Sequence, residues 1–273
     1  MEPATADPNS PQDPTGNATA IPTPDRLFSL DGKVVIVTGA SSGLGARWAP
    51  VLAAAGARVV ITARRHAELA EVARQSHSIL AVPGDITSED HRRALVAAAI
   101  DAFGTIDVLV NNAGTAASAP ALDTDLGDFG DLIETDLNAV FALTQLVGRH
   151  MVKARRGSII NITSLGAERC LDRYPLAAYN AAKAGVAALT RSFASEWGPH
   201  GVRANSLGPA FFPTRLSGFL LDPSQTEWIA SHTALRRPAN LDELDGAVVF
   251  LASDASSYIT GQHLFVDGGW SVY

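Results

Sequence analysis

The chain has 273 residues, 47% of them hydrophobic and 18% charged, with a net charge of -7. That mildly acidic balance argues against nucleic acid or an anionic membrane surface as the main partner. Cys170 is the only cysteine, so no internal disulfide and no cysteine cluster for zinc can form. The histidines are scattered without an HExxH pair, so no metal is expected. No apolar run reaches membrane-spanning length and no secretory signal opens the chain, which points to a small-molecule protein of the cytoplasm.

In chain order, residues 1–24 are rich in Pro, Ala and Thr without an apolar period, and read as a disordered tail. From Asp31 short apolar runs alternate with longer amphipathic ones. Strands are expected at Val34–Thr38, Val59–Thr62, Ile79–Val82, Val108–Val110, Ser158–Ile162, Val202–Ser206 and His263–Val266. Helices are expected at Gly45–Ala55, Ala67–Gln75, Ser88–Phe103, Phe129–Ala154, Ala178–Trp197 and Leu241–Ala252. This alternation predicts an α/β fold over 25–273: a single doubly wound parallel sheet, Rossmann-type, with helices on both faces.

The first strand runs into a turn holding Gly39, Ser41, Ser42, Gly43, Leu44 and Gly45, and then into a helix. Glycines permit a tight turn and a close approach by a pyrophosphate, and the helix start offers free N–H groups. The spacing GxxxGxG differs from the GxGxxG fingerprint. At the end of the second strand an NAD site places an acid for the ribose, but this chain has Thr62, Ala63, Arg64 and Arg65. Arginine forks suit a 2′-phosphate, so NADP is the expected cofactor and NAD the alternative.

Tyr179 and Lys183 are four residues apart in an expected helix, so both lie on one face. A phenol titrates near pH 10. A cation about 4 Å away, at an effective dielectric of about 20, favours its ionised form by about 4 kcal/mol. A phenol so placed can carry protons near neutrality.

The glycine turn, Asn111 to Gly114, Asn138, Ser164, the Tyr179–Lys183 pair and Val266 to Gly269 follow one another along the chain. Together they resemble the short-chain dehydrogenase/reductase family, with Phe250–Asp254 and Tyr258–Gly261 similar to its 3-oxoacyl-carrier-protein reductase branch. The resemblance implies that Tyr179 is the general acid/base. Ser164 would hydrogen-bond the substrate oxygen, and Lys183 would bind ribose and tune Tyr179. Asn138 would hold a water in the proton relay. It further implies cofactor contacts at Asp85, Ile86, Asn112, Ala113, Gly114, Pro209, Ala210, Phe212 and Thr214. Two features depart from the family pattern. Ser164 and Tyr179 are 15 residues apart, the extra length lying in Glu168–Arg173, and Ala210 stands where glycine is usual.

Residues 211–237 would form a lid over the substrate. Their aromatics suit an apolar pocket or packing of the lid onto the body, and Arg169, Arg173 and Arg215 are candidates for an anion. The expected activity is hydride transfer between NADP(H) and a secondary alcohol or ketone. The rival is a redox-silent dinucleotide-binding regulator. Excess apolar positions on two helices, including Val140, Phe141, Leu146, Val147, Val186, Leu189 and Phe193, ask for a partner surface, and the family resemblance implies a homotetramer there, with a dimer as the fallback.

Overall fold

The computed structural model describes residues 21–171, 173–214 and 222–272. Its seven strands are β1 Val34–Thr38, β2 Arg58–Thr62, β3 Ile79–Ala81, β4 Val108–Asn111, β5 Gly157–Ile162, β6 Val202–Pro209 and β7 His263–Val266. They form one parallel sheet in the order β3-β2-β1-β4-β5-β6-β7. The order reverses between β1 and β4. In doubly wound sheets a ligand crevice opens at that point, beyond the carboxyl ends of the strands.

The helices are α1 Pro24–Phe28, α2 Gly43–Ala54, α3 His66–Ala73, α4 Glu89–Phe103, α5 Leu126–Ile133, α6 Ala139–Ala154, α7 Ala177–Trp197, α8 Pro223–His232 and α9 Asp245–Ala252. Strand side chains alternate between two cores. Val35, Val37, Val59 and Ile61 pack with Trp48 and Leu52 of α2, Leu69 of α3 and Val248 and Leu251 of α9. Ile36, Val60 and Leu109 face the other way, onto Leu95 of α4, Leu143, Val147 and Met151 of α6 and Phe193 of α7. All of β1 is buried, as a central parallel strand covered on both faces requires.

A chain of hydrogen bonds crosses this interior. Asn111 Nδ2 donates to Thr144 and to Asn161 Oδ1, Asn161 donates to Thr190, and Ser206 donates to Thr190. Every member is buried and partnered, which is what makes polar groups tolerable there.

The expected strands all appear, with ends shifted by a few residues. The helix expected over Phe129–Ala154 differs in kind. Its first part starts earlier, at Leu126, where the Asp125 side chain accepts the N–H groups of Gly127 and Asp128. A π-helical turn, Glu134–Asn138, then separates α5 from α6. Two helices had no expectation attached, α1 and α8. The expected tail lies mostly outside the described residues, as do Arg215 and the middle of the expected lid.

Of the apolar positions read as surplus, Val140, Val147, Val186 and Phe193 are buried inside the subunit, and Leu146 and Leu189 are half-buried. Phe141 is exposed, and so are Leu122, Leu126 and Phe129. Among the described residues no helix is long and apolar enough to cross a membrane.

Candidate active site

A cleft of about 840 Å³ opens at the β1–β4 switch point. At one end lie Gly39, Ser41, Ser42, Gly43 and Leu44 of the turn between β1 and α2. Gly39 and Gly43 take φ of +68° and +59°, where a side chain would be strained. Ser42, the N-cap residue of α2, makes no capping hydrogen bond with its own side chain, so the helix start remains available to an anion. Gly45 is not part of the cleft wall. It lies behind the turn, where a Cβ would stand 2.8 Å from the Gly39 carbonyl and closer still to Asn112 Nδ2.

Arg64 and Arg65 follow β2 and border the same end. The Arg65 guanidinium reaches across the turn. Its Nη2 donates to Ser41 Oγ at 2.8 Å and to Ser42 Oγ at 2.6 Å, with Glu68 flanking at 3.6 Å. Arg64 is more exposed and stands 4.0 Å from Asp85. Asp85 and Ile86 line the cleft beyond β3. Burial raises the Asp85 carboxyl, but the Thr87 N–H and hydroxyl, with Arg64, outweigh it and hold the group below its ordinary value. A guanidinium fixed against two hydroxyls beside an open helix start fits the adenosine and phosphate portion of a dinucleotide.

Asn112, Ala113 and Gly114 form the floor. Thr38 Oγ1 accepts the N–H groups of Asn112 and Ala113, and the Asn112 side chain donates to the Thr38 carbonyl. The end of β4 is thereby fastened to the end of β1.

Ser164, Tyr179 and Lys183 meet on the other side of the cleft. Ser164 follows β5, and its Oγ accepts the Gly166 N–H at 3.0 Å. Tyr179 and Lys183 share one face of α7, with Lys183 Nζ 5.5 Å from the centre of the tyrosine ring. Lys183 is buried and donates to the Ile162 carbonyl at 3.3 Å. Its Nζ is 3.0 Å from Oδ2 of Asp136, which is fully buried. Burial alone would push the Lys183 ammonium down; the Asp136 carboxylate, with help from Tyr179, outweighs burial and holds it above its ordinary value.

Asn138 does not belong to this group. It is exposed, outside the cleft wall, and donates from Nδ2 to Glu134 Oε2 at 2.7 Å. Two positions apart on a helical turn, Asp136 and Asn138 point to opposite sides. Asp136 therefore occupies the place expected for Asn138. Sequence reasoning passed over it because an amide was sought and because the π turn was read as ordinary helix. Its proximity to Lys183 carries no local sequence signal.

Pro209, the last residue of β6, and Ala210, Phe212 and Thr214 after it lie along the cleft. The alanine at position 210 needs no unusual backbone: among the described residues only Arg155 and Arg236 have positive φ without being glycine. Leu165, Leu171, Tyr174, Leu176 and Phe211 complete the wall near Ser164. Leu171 and Tyr174 belong to the long Ser164–Tyr179 connection, whose extra residues thus shape the rim. Trp228 of α8 packs edge-on to Phe211 and Tyr174, and Trp270 joins them in one aromatic cluster. Arg173 lies over Trp228 and Arg169 donates to the Ser271 carbonyl; neither lines the cleft. Among the described residues, no group of three His, Cys, Asp or Glu could hold a metal ion.

Comparison with known proteins agrees with this geometry. The family model described as enoyl-(acyl carrier protein) reductase matches residues 39–271. Gluconate 5-dehydrogenase of Gluconobacter oxydans is 41% identical over 255 residues, covering 90% of this chain and 97% of that one. Cis-4-hydroxycyclohexanecarboxylate dehydrogenase of Sinomonas cyclohexanicum is 40% identical over 245 residues, covering 88% and 96%. Among solved structures, a gluconate 5-dehydrogenase from Burkholderia cenocepacia in complex with NADP and tartrate superposes with a TM-score of 0.86 at 37% identity, covering 91% and 99%. The chain belongs to the short-chain dehydrogenase/reductase family of NAD(P)-dependent oxidoreductases.

Proposed function

We propose that the chain interconverts a secondary alcohol and its ketone with NADP(H), and that Tyr179 carries the proton. The observation that supports this most is that Ser164, Tyr179 and Lys183 share one cleft with the glycine turn and Arg65. When bound, the nicotinamide supplies or accepts the hydride at the carbonyl carbon. The chain's own part is to position and protonate. Ser164 Oγ holds the substrate oxygen, and Tyr179 gives it a proton in reduction or takes one in oxidation. Lys183 holds the cofactor ribose and orients Tyr179.

Gly39, Gly43, Ser41, Ser42 and the start of α2 would hold the pyrophosphate. Arg65, with Arg64 beside it, would hold the 2′-phosphate. Asp85 and Ile86 would flank the adenine over the Asn112–Gly114 floor, and Pro209, Ala210, Phe212 and Thr214 the nicotinamide.

The substrate is largely apolar. Leu165, Leu171, Tyr174, Leu176 and Phe211 supply an apolar wall, and the only cations among the described lining residues are Arg64, Arg65 and Lys183. A cyclic alcohol suits such a wall better than an extended polyol.

The assembly is a homotetramer working in the cytoplasm, with a dimer as the fallback. It is supported by the exposed Leu122, Leu126, Phe129 and Phe141. Light scattering on the full chain tests it, and a monomer would refute it. The activity is tested by nicotinamide absorbance at 340 nm across apolar cyclic alcohols, polyols and sugar acids with NADP+ and with NAD+. Turnover confined to sugar acids would contradict the substrate class.

A further inference from the structure

We propose that Asp136 is a positioning residue that cancels the charge of Lys183 next to Tyr179, shifting alcohol oxidation to a more alkaline pH than the Tyr179–Lys183 pair alone would set. The inference rests on Tyr179 being the proton carrier.

The Asp136 side chain is held from two sides. Oδ1 accepts the Thr115 N–H at 2.7 Å and the Thr115 hydroxyl at 3.2 Å, while Oδ2 faces Lys183 at 3.0 Å. The approach depends on Gly114, where a Cβ would stand 2.8 Å from Oδ2 and 3.2 Å from Lys183 Nζ. A neutral amide at position 136 could accept the same Thr115 hydrogen bonds. What the carboxylate adds is a negative charge.

The other charged groups on elements packed against α7 are placed differently. Asp128 and Asp131 of α5 and Glu134 of the π turn are exposed, as are Arg149, His150 and Lys153 of α6. Glu168, after the turn that follows Ser164, pairs with His263. Arg203 of β6 is held by the carbonyls of Leu251, Ser253 and Ile259, and His200 lies past the far end of α7. On α7 itself Arg191 and Glu196 are exposed. Asp136 is thus the group that balances Lys183 in the buried corner.

The direction of the effect follows from charge. Oxidation needs Tyr179 able to accept a proton. The Lys183 cation favours that form, and a carboxylate against the lysine opposes it. A unit charge about 10 Å away, at an effective dielectric of about 20, corresponds to about one pH unit.

The test is the pH profile of kcat/KM for alcohol oxidation with NADP+, in the wild type and in Asp136→Asn, with Asp136→Ser as a second charge-removing variant and Asp136→Glu as a charge-retaining one. NADPH fluorescence reports whether each variant binds cofactor. The acid-side midpoint is expected to fall by about one unit or more in Asp136→Asn and Asp136→Ser, and to stay at the wild-type value in Asp136→Glu. A midpoint that stays put or rises in the two neutral variants overturns the proposal. Loss of NADPH binding in both also overturns it, because Asp136 would then be supporting the site's structure. The premise is tested separately by Tyr179→Phe: turnover persisting in that variant would refute the role of Tyr179, whatever the Asp136 profiles show.

Discussion

Lys183 Nζ lies 3.0 Å from Asp136 Oδ2 with both side chains buried, while Asn138, two residues on, faces outward to Glu134. Removing one partner of a buried ion pair leaves the other uncompensated, which costs about 3–5 kcal/mol. Asp136→Ala is therefore expected to lower unfolding stability by that amount in denaturant titrations. Asn138→Ala should keep turnover within about twofold of wild type, because its side chain reaches only an exposed carboxylate. A loss of more than tenfold in Asn138→Ala would put that residue back into the proton path.

The same pair predicts a pH dependence of stability. The folded-state value of Lys183 is raised above its unfolded value. Its contribution is then fully present below about pH 10.4, the ordinary lysine value, and is lost as pH rises through the higher folded value. Thermal melts from pH 9 to 12 should show this loss in the wild type and a weaker one in Asp136→Asn. Identical alkaline slopes would contradict it.

Arg65 contacts both serines of the phosphate turn. Hydrogen bonds to charged groups contribute about 1.5–3 kcal/mol, so Arg65→Ala should weaken NADP(H) by about 10- to 100-fold. NAD(H), without the 2′-phosphate, should change little. Equal losses for both cofactors, measured by fluorescence titration, would remove Arg65 from 2′-phosphate recognition.

Gly39 has φ of +68°, and a Cβ there would stand 2.7 Å from the Ala113 Cα. That neighbour is backbone and cannot swing aside. Gly39→Ala is expected to abolish measurable dinucleotide binding in calorimetry or to prevent soluble folding. Cofactor affinity near the wild-type value would contradict the close approach of the two turns.

Much of this arrangement was legible in the sequence because local rules acted alone. The β-branched run Val34–Thr38, bounded by Lys33 and Gly39, reads as a strand and is one. Tyr179 and Lys183 share a face because helical spacing requires it. The Asp136 contact was not legible, since it joins a π turn to α7 across 47 positions, and no local pattern reports which polar side chain a buried lysine meets. The expected surplus of apolar surface was mostly illegible for a similar reason. Val140, Val147, Val186 and Phe193 are covered by other elements of the same subunit, and a helical pattern shows an apolar face without showing what covers it.

The central claim is that Tyr179 moves the proton in a cleft that also binds NADP(H). It is tested most directly by Tyr179→Phe, which removes one oxygen from a ring that α7 holds in place. NADPH affinity should remain within about threefold of wild type, while kcat, read at 340 nm with a secondary alcohol that the wild type oxidises, should fall by about 10²–10⁴-fold. Undiminished kcat with intact NADPH binding would contradict the account.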